Sequence, residues 1–111
     1  MGDTMADYKL ADAVQRSMEN RTFHVPTAAA RHGLGPGDFA KLIFDDKERM
    51  WVRVTEVVGD GWYLGELNSY PAVVDLHFGD VIRFHARHVA DITLKRGLER
   101  LAAKVAGKTD S

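Results

Sequence analysis

The fold is decided by residues 49–67, which read RMWVRVTEVVGDGWYLGEL. Aliphatic Met50, Val52 and Val54 alternate with aromatic or polar side chains, and a period of two residues is typical of a β-strand with one buried face. The Gly-Asp-Gly sequence at 59–61 favours the positive φ angles of a tight hairpin turn. We therefore expect two antiparallel strands on either side of this turn, with the three aliphatic side chains facing the core.

The same alternation continues on both sides of the hairpin. Gly-Asp pairs at 37–38 and 79–80 each precede a further apolar run, as expected where a turn leads into a strand. The expected strands are Phe39–Phe44, Arg49–Val58, Trp62–Leu67 and Val81–His85, with a short last strand at Val89–Ile92 and a strand or loop at Ala72–Leu76. Short strands joined by tight turns predict a small antiparallel SH3-like β-barrel or a curled sheet.

Two helical patterns precede this β region. The first helix is expected over Thr4–Glu19, because Thr4 and Asp7 fit a capping box and the apolar residues that follow recur at helical spacing. A second, short helix is expected over Pro26–His32. Proline suits a first turn, and Gly33 offers a left-handed cap at the other end.

A closing helix completes the expected architecture. Thr93 is its expected cap, and leucines follow on one face with lysines and arginines on the other. We expect a single α+β domain, since 111 residues is an ordinary domain size. Its parts are a helical segment at 1–33, a β-rich core at 34–92, and the C-terminal helix with a frayed end at 93–111.

The composition is that of a globular protein from a reducing compartment. Hydrophobic residues make up 45% and charged residues 28% of the chain. There is no apolar run long enough to span a membrane, and the N-terminus lacks the apolar segment of a secretory signal. Cysteine is absent, which removes disulfides, thiolate ligands and cysteine nucleophiles. We expect a cytoplasmic protein without membrane contact, as a monomer or a homodimer.

The distribution of charge argues against nucleic acid as the main ligand. Residues 38–92 hold six basic and ten acidic side chains, a net charge of −4 within a chain of net charge −1. Residues 93–111 hold five basic and two acidic side chains, a net charge of +3. Phosphate contacts supply most of the affinity for nucleic acids, so a binding core is normally positive.

Side chains with catalytic potential lack the context that catalysis needs. No serine has the surroundings of a nucleophile elbow, and the glycine-rich run 33–37 contains a proline and lacks the Lys-Ser/Thr ending of a phosphate loop. The carboxylates of Asp45, Asp46 and Glu48 are interpreted as a hairpin turn. We therefore expect no catalytic residue and no cofactor.

The histidines leave one catalytic alternative open. His77, His85 and His88 could hold a metal ion in a metal-dependent enzyme. Positions 85 and 88 of one strand would point to opposite faces, so the three rings could converge only across a bend. Histidines hydrogen-bonded at a strand end are the interpretation that we rank higher.

Aromatic side chains together with an arginine form the candidate contact surface. Trp51 lies in register with Arg53 on the face opposite the core aliphatics, and both residue types are over-represented at binding hot spots. A terminal helix that covers Trp51 is the alternative to an exposed side chain. The candidate partner contacts are Trp51, Arg53, Trp62, Tyr63 and Tyr70.

A short basic stripe supports RNA binding as an alternative function. The stripe consists of Lys41, Arg53, Arg83 and His85, and the candidate nucleic-acid contacts are Lys41, Arg53, Arg83 and Arg87 with the basic closing helix. Lys41, Arg53 and Arg83 can share one face by alternation. The stripe is small within an acidic core, so nucleic-acid binding ranks below protein binding.

The order of motifs between Leu34 and Ile92 resembles a known family. The motifs are Leu34–Asp38, Ala40–Phe44, Glu48–Val54, Gly65–Leu67, Pro71, Gly79–Phe84 and His88-Val89. They are similar to bacterial proteins that contain domain of unknown function 2314, over about half of the chain. The resemblance implies a small bacterial β-rich domain, and that family has no established activity or catalytic residues to transfer. The sequence therefore favours a non-catalytic module that recognises a protein partner through its β face.

Overall fold

One antiparallel sheet and two short helices make up the described part of the fold. The structure, a computed structural model, describes residues 8–95. Its elements are α1 (Ala13–Glu19), α2 (Ala28–His32), β1 (Phe39–Phe44), β2 (Glu48–Gly59), β3 (Trp62–Leu67), β4 (Val81–His85), a 3₁₀ turn (Ala86–His88) and β5 (Asp91–Thr93). The strand order is β4-β3-β2-β1-β5, with all neighbours antiparallel. The expected α+β class is confirmed. The sheet formed by the described residues does not close, so the expected SH3-like barrel is not confirmed.

The main core lies on one face of the sheet, as the alternation predicts, and a smaller apolar cluster around Ile43 and Ala13 lies on the other face. Met50, Val52 and Val54 are only 3%, 0% and 0% exposed. Buried side chains from the other elements pack against them: Leu34, Ala40, Leu42, Phe44, Tyr63, Leu67, Leu76, Ile82, Phe84, Ala86 and Val89. The expected bounds of β1, β3 and β4 are confirmed, and β2 is one residue longer at each end than expected.

The β2–β3 hairpin is closely packed at its base and exposed at its tip. A Cβ built on Gly65 would lie 2.5 Å from Cγ1 of Val52 and 2.6 Å from the carbonyl oxygen of Arg53, so β3 can approach β2 only without a side chain there. Irregular register follows at two points along β2, which increases the local twist. Residues 55–60 are all exposed and extend beyond the core.

The N-terminal segment is extended where a helix was expected. Leu10 forms an antiparallel bridge with Phe44, and the N–H of Ala11 donates to the carbonyl of Ile43 at 3.0 Å. The prediction of a helix over Thr4–Glu19 is therefore wrong for residues 8–12, because their backbone completes the edge of β1. The predicted capping box at Thr4 lies outside the described residues.

Both helices are capped by side chains other than those expected. The Asp12 carboxylate accepts from the Gln15 N–H at 2.9 Å and begins α1, and the Thr27 hydroxyl accepts from the Ala30 N–H at 3.1 Å and begins α2. Gly33 ends α2 with φ −102°, so the expected left-handed cap is wrong. The N–H of Gly33 instead donates to the Ala30 carbonyl at 3.3 Å.

The β1–β2 turn holds the N-terminal segment in place. Asp45 and Asp46 have φ of 53° and 56°, the two left-handed residues of a type I′ turn. The Asp45 carboxylate accepts from the Lys9 N–H at 2.8 Å, and Asp46 forms an ion pair with Arg16. These paired carboxylates are therefore structural, as the sequence interpretation has it.

Tyr8 links β1 to β4, the strand at one edge of the open sheet. Its ring packs against Phe44 of β1 with centroids 5.7 Å apart. Its hydroxyl accepts from the Arg83 N–H at 3.0 Å and donates to the Arg83 carbonyl at 3.3 Å, on the outer edge of β4. One side chain thus connects the β1 side of the sheet to β4 without strand pairing.

The chain between β3 and β4 is a loop fixed by Glu48. The Glu48 carboxylate accepts from the N–H groups of Ala72, Val73 and Val74 at 2.5, 2.8 and 2.8 Å. The segment 72–76 is therefore a loop, which is one of the two possibilities left open by the sequence.

The last described elements differ slightly from expectation. The final strand runs over Asp91–Thr93, where Val89–Ile92 was expected, and Thr93 pairs with Phe39 of β1. Thr93, the expected cap of the closing helix, is instead the last residue of β5, and the rest of that helix beyond Lys95 lies outside the described residues. No helix within residues 8–95 has the length and apolar character needed to cross a membrane.

Candidate binding face

The side of the sheet that faces away from the core carries most of the predicted contacts. Lys41 of β1 lies opposite Trp51 of β2, and Arg53 of β2 lies opposite Glu66 of β3. Residues opposite each other in an antiparallel pair share a face, and every second residue along a strand returns to it. We call this surface, with Arg83 of β4 at its far side, the outer face.

Trp51 lies half-buried at the middle of the outer face. The Nζ atom of Lys41 is 5.2 Å from its ring centroid, within the range of a cation–π contact. Its backbone is fixed by the Ser69 hydroxyl, which accepts from its N–H at 3.0 Å, and by the Asn68 N–H, which donates to its carbonyl at 2.9 Å. The apolar residues under α1 pack on Ile43 instead, and Trp51 belongs to neither apolar cluster of the described residues.

Arg53 is held beside Trp51 by an ion pair. A guanidinium nitrogen lies 2.6 Å from a carboxylate oxygen of Glu66, and both side chains are about half exposed. An exposed pair of this kind contributes little to stability. Its effect is to fix the guanidinium on the outer face, where it remains available for a further contact.

A groove borders the outer face on the side of the helices. Its volume is about 860 Å³, and it lies between β1, β2 and the segment 20–26. We call it the basic groove, and the lining side chains that matter here are Arg16, Phe23, Lys41, Arg49, Asp91 and Ile92. The guanidinium carbons of Arg49 and Arg16 lie 5.4 and 5.9 Å from the Phe23 ring centroid, so the aromatic ring orients both cations.

A second aromatic group, the tryptophan–histidine corner, lies where β3 and β4 meet the 3₁₀ turn. The guanidinium carbons of Arg83 and Arg87 lie 4.8 and 5.3 Å from the Trp62 ring centroid. The rings of His85 and His88 meet Trp62 edge-on, with centroids 5.0 and 6.2 Å away. Trp62 is therefore surrounded by cations and imidazoles.

Both histidines of this corner are held in the neutral form. Nδ1 of His88 accepts from the His85 N–H at 2.9 Å, and Nδ1 of His85 accepts from the Arg87 N–H at 3.1 Å. The remaining proton of His85 is then on Nε2, which donates to the Asp60 carbonyl at 3.1 Å. Burial, and secondly the charge of Arg87, lower the pKa of His88 to about 4, and the same two causes lower the pKa of His85.

The predicted metal-binding histidines do not converge. His77 precedes the opposite end of β4 from His85, in the exposed loop, where its ring lies 3.7 Å from the Asp80 carboxylate. β4 separates it from the other two rings. Within residues 8–95, no three His, Asp or Glu side chains are grouped as ligands for a metal ion.

Two of the five predicted contacts lie away from the outer face. Tyr63 is 1% exposed, stacks on Phe84 and donates its hydroxyl proton to the Arg31 carbonyl at 2.9 Å. Its prediction as a surface contact is wrong, because its neighbour Trp62 takes the outward position in β3. Tyr70 is 82% exposed and stacks on Phe78 at 4.9 Å, on the loop between β3 and β4.

The four residues predicted for nucleic-acid binding are brought together only in part. Lys41 and Arg53 share the outer face with Arg83, as alternation predicts. Arg87 lies in the 3₁₀ turn, where it shares the Trp62 ring with Arg83 and has its Nε atom 4.0 Å from the Asp12 carboxylate. Two of the four predicted residues, Arg53 and Arg87, therefore face acidic side chains.

Sequence reasoning missed the basic groove. Arg49 is an even number of residues from Trp51 and Arg53 along β2, so the alternation places it on the same outer face. Its position could therefore have been predicted from the sequence. Phe23 lies in an irregular segment between the two helices, and its contact with Arg49 joins residues far apart in sequence. No periodicity could have revealed that contact.

Comparisons with protein-family models, with curated proteins and with solved structures found no match to this chain. The resemblance to the domain of unknown function 2314 family therefore stays a prediction. Any functional conclusion depends on the geometry of the outer face and its neighbouring groove.

Proposed function

We propose that this chain is a non-catalytic binding module that recognises a protein partner through the outer face of its sheet. The observation that carries the proposal is the position of Trp51, half-buried between Lys41 and Arg53 on a hydrogen-bonded sheet. Tryptophan and arginine dominate the energetics of protein interfaces when they lie on a rigid support. The resemblance to a bacterial family and the cysteine-free composition add a bacterial cytoplasmic setting to this proposal.

The rigidity of the outer face supports recognition by a preformed surface. Trp51 is fixed through its backbone at both sides, and Arg53 is fixed through Glu66. Fewer side chains then lose conformational freedom when a partner binds, which lowers the entropic cost of association. Binding through this face needs no rearrangement of the described strands.

Nucleic-acid binding is a second candidate, favoured by one observation. Two guanidinium groups, those of Arg83 and Arg87, lie within 5.3 Å of the Trp62 centroid, and aromatic rings with cations are common in single-strand binding sites. In such sites the bases stack on open aromatic faces. Here cations already occupy the surroundings of Trp62, and Arg87 also faces Asp12.

The geometry gives weaker support to a third candidate function, that of a metal-dependent enzyme. Nδ1 of His85 and Nδ1 of His88 already accept from backbone N–H groups, and Nε2 of His85 meets the Asp60 carbonyl. Nε2 of His88 would be the ring nitrogen left for a metal ion. A single nitrogen does not make a site.

Affinity capture from nuclease-treated bacterial lysate tests the proposed function. The immobilised full chain should retain at least one protein, identified by mass spectrometry, that is lost when Trp51→Ala or Arg53→Ala is used. Lys47→Ala, an exposed cation in the β1–β2 turn, is the matched control and should retain it. Circular dichroism of each variant establishes that the fold is kept. If both outer-face variants retain every captured protein, the proposed function is wrong.

A further inference from the structure

The basic groove concentrates cations in a protein whose net charge is negative. Lys41 and Arg49 form its floor from β1 and β2, and Arg16 closes one end. Arg16 is paired with Asp46, but neither Lys41 nor Arg49 forms an ion pair with another side chain of residues 8–95. The groove therefore presents two available cations close to Trp51.

The two cations are also positioned for an elongated ligand. Lys41 lies opposite Trp51, and Arg49 is two residues from Trp51 on the same strand, so the backbone positions of Lys41 and Arg49 are diagonal neighbours, which are typically about 7–8 Å apart. The Phe23 ring holds the Arg49 guanidinium on one side. Successive side chains on one side of an extended peptide recur at about 7 Å, which matches this separation.

We propose that the basic groove binds an extended segment of the partner protein that is rich in Asp and Glu. This inference rests on the proposed function and names the chemistry of the partner at one end of the outer face. Carboxylates of alternate residues would meet Lys41 and Arg49. Guanidinium–carboxylate contacts are bidentate and directional, and an oriented arginine favours them.

The walls of the groove favour a peptide over a nucleic acid. Val25, Pro26 and Ile92 line it with apolar surface, which suits the alkyl portions of peptide side chains. Phe23 already has two guanidinium groups near its ring, and these would compete with a base for stacking on it.

Fluorescence anisotropy with the full chain tests the groove. Labelled hexaglutamate should bind, hexaglutamine should not, and added salt should weaken the binding because Coulombic attraction is screened. Arg49→Gln and Lys41→Gln should each weaken hexaglutamate binding about tenfold, the effect of losing one charge-assisted contact. Lys47→Gln, which removes an exposed charge outside the groove, should leave the Kd unchanged.

Three results would overturn this inference: no hexaglutamate binding, equal binding by wild type and Arg49→Gln, or tighter binding of oligouridylate than of hexaglutamate. These results are separate from the test of the proposed function. If lysate capture depends on Trp51 but hexaglutamate does not bind, the outer face is retained as the binding surface and the groove assignment is wrong. Circular dichroism again establishes that each variant is folded.

Discussion

His85 and His88 form a pair of imidazoles that cannot take up a proton without losing a hydrogen bond. Each uses Nδ1 to accept a backbone N–H, from Arg87 and His85 respectively. A proton on Nδ1 would place two donors against each other. Burial and the nearby Arg87 charge act in the same direction, which is why the pKa of His88 lies at about 4.

Lowering the pH is therefore expected to destabilise the protein through His88. An unfolded histidine binds its proton near pH 6.5, and the folded His88 does so at about 4. Between these values the unfolded chain holds more protons, so the free energy of unfolding falls as the pH falls. The loss should be about 1–2 kcal/mol, after allowing for solvent screening of a partly exposed group. Urea denaturation at pH 7 and near pH 4 measures it.

Two variants make this prediction specific. His88→Asn keeps a side-chain acceptor for the His85 N–H but does not titrate, so its stability should depend less steeply on pH. His77→Asn changes an exposed histidine and should keep the wild-type dependence. If the free energy of unfolding of His88→Asn depends on pH as steeply as that of the wild type, His88 is not the source of the pH dependence.

At the scale of elements, the loop between β3 and β4 depends on one carboxylate. The N–H groups of Ala72, Val74 and Val73 donate to Glu48, and they lower the pKa of its carboxyl group below the ordinary value. The contact is therefore present at neutral pH and is lost as the pH falls through this lowered pKa. No other side chain of residues 8–95 receives three backbone hydrogen bonds in this way.

Glu48→Gln should loosen this loop without unfolding the sheet. A neutral amide is a weaker acceptor than a carboxylate and brings two donors of its own toward the same N–H groups. Hydrogen exchange of the amides at 72–74, followed by mass spectrometry, should become several times faster. Glu56→Gln, an exposed glutamate on β2, is the matched control. Equal exchange in both variants would contradict the assigned role of Glu48.

The strands could be predicted from the sequence because their alternation is a local signal. β1, β3 and β4 have the expected bounds, and the same parity correctly put Trp51 and Lys41 on the outer face. The alternation also explains why the prediction of Tyr63 as a surface contact was wrong. Adjacent residues of β3 cannot both face outward, and Trp62 faces outward. Applied strictly to β3, the alternation would have removed Tyr63 from the candidate contacts.

The N-terminal segment and the groove could not be predicted in the same way. The spacing of Leu10 and its neighbours fits a helix, but its backbone pairs with Phe44, more than thirty residues away. The contact of Phe23 with Arg49 also joins residues far apart in sequence. Such long-range contacts override local propensity and leave no periodic trace.

At the scale of the described molecule, Tyr8 links β1 to β4 across the open side of the sheet. Its hydroxyl satisfies both backbone groups of Arg83 on the edge of β4, and its ring covers Phe44. Burial, opposed by the hydrogen bond and charge of Arg83, raises the pKa of Tyr8. Between Phe44 and the edge of β4, the Tyr8 side chain is thus what covers the core of the described residues.

Tyr8→Phe should lower the free energy of unfolding by about 1–2 kcal/mol, because two backbone groups on β4 lose their partner while the ring contact remains. Tyr70→Phe removes the same hydroxyl from a side chain that is 82% exposed, and should change stability by less than about 0.5 kcal/mol. Urea denaturation compares the two variants. Equal stability of Tyr8→Phe and Tyr70→Phe would show that the Tyr8 hydroxyl does not stabilise the link between β1 and β4.

The tip of the β2–β3 hairpin is fastened to the end of β4 at two successive residues. Asp60 holds the His85 ring, and the Gly61 carbonyl accepts from the Ala86 N–H at 2.8 Å. A Cβ on Gly61 would lie 2.6 Å from the same ring, so nothing bulkier than hydrogen fits between them. Trp62 is therefore held on a rigid corner. A ligand that binds beside it must already fit the shape of this corner, so selectivity there would come from shape complementarity and not from induced fit.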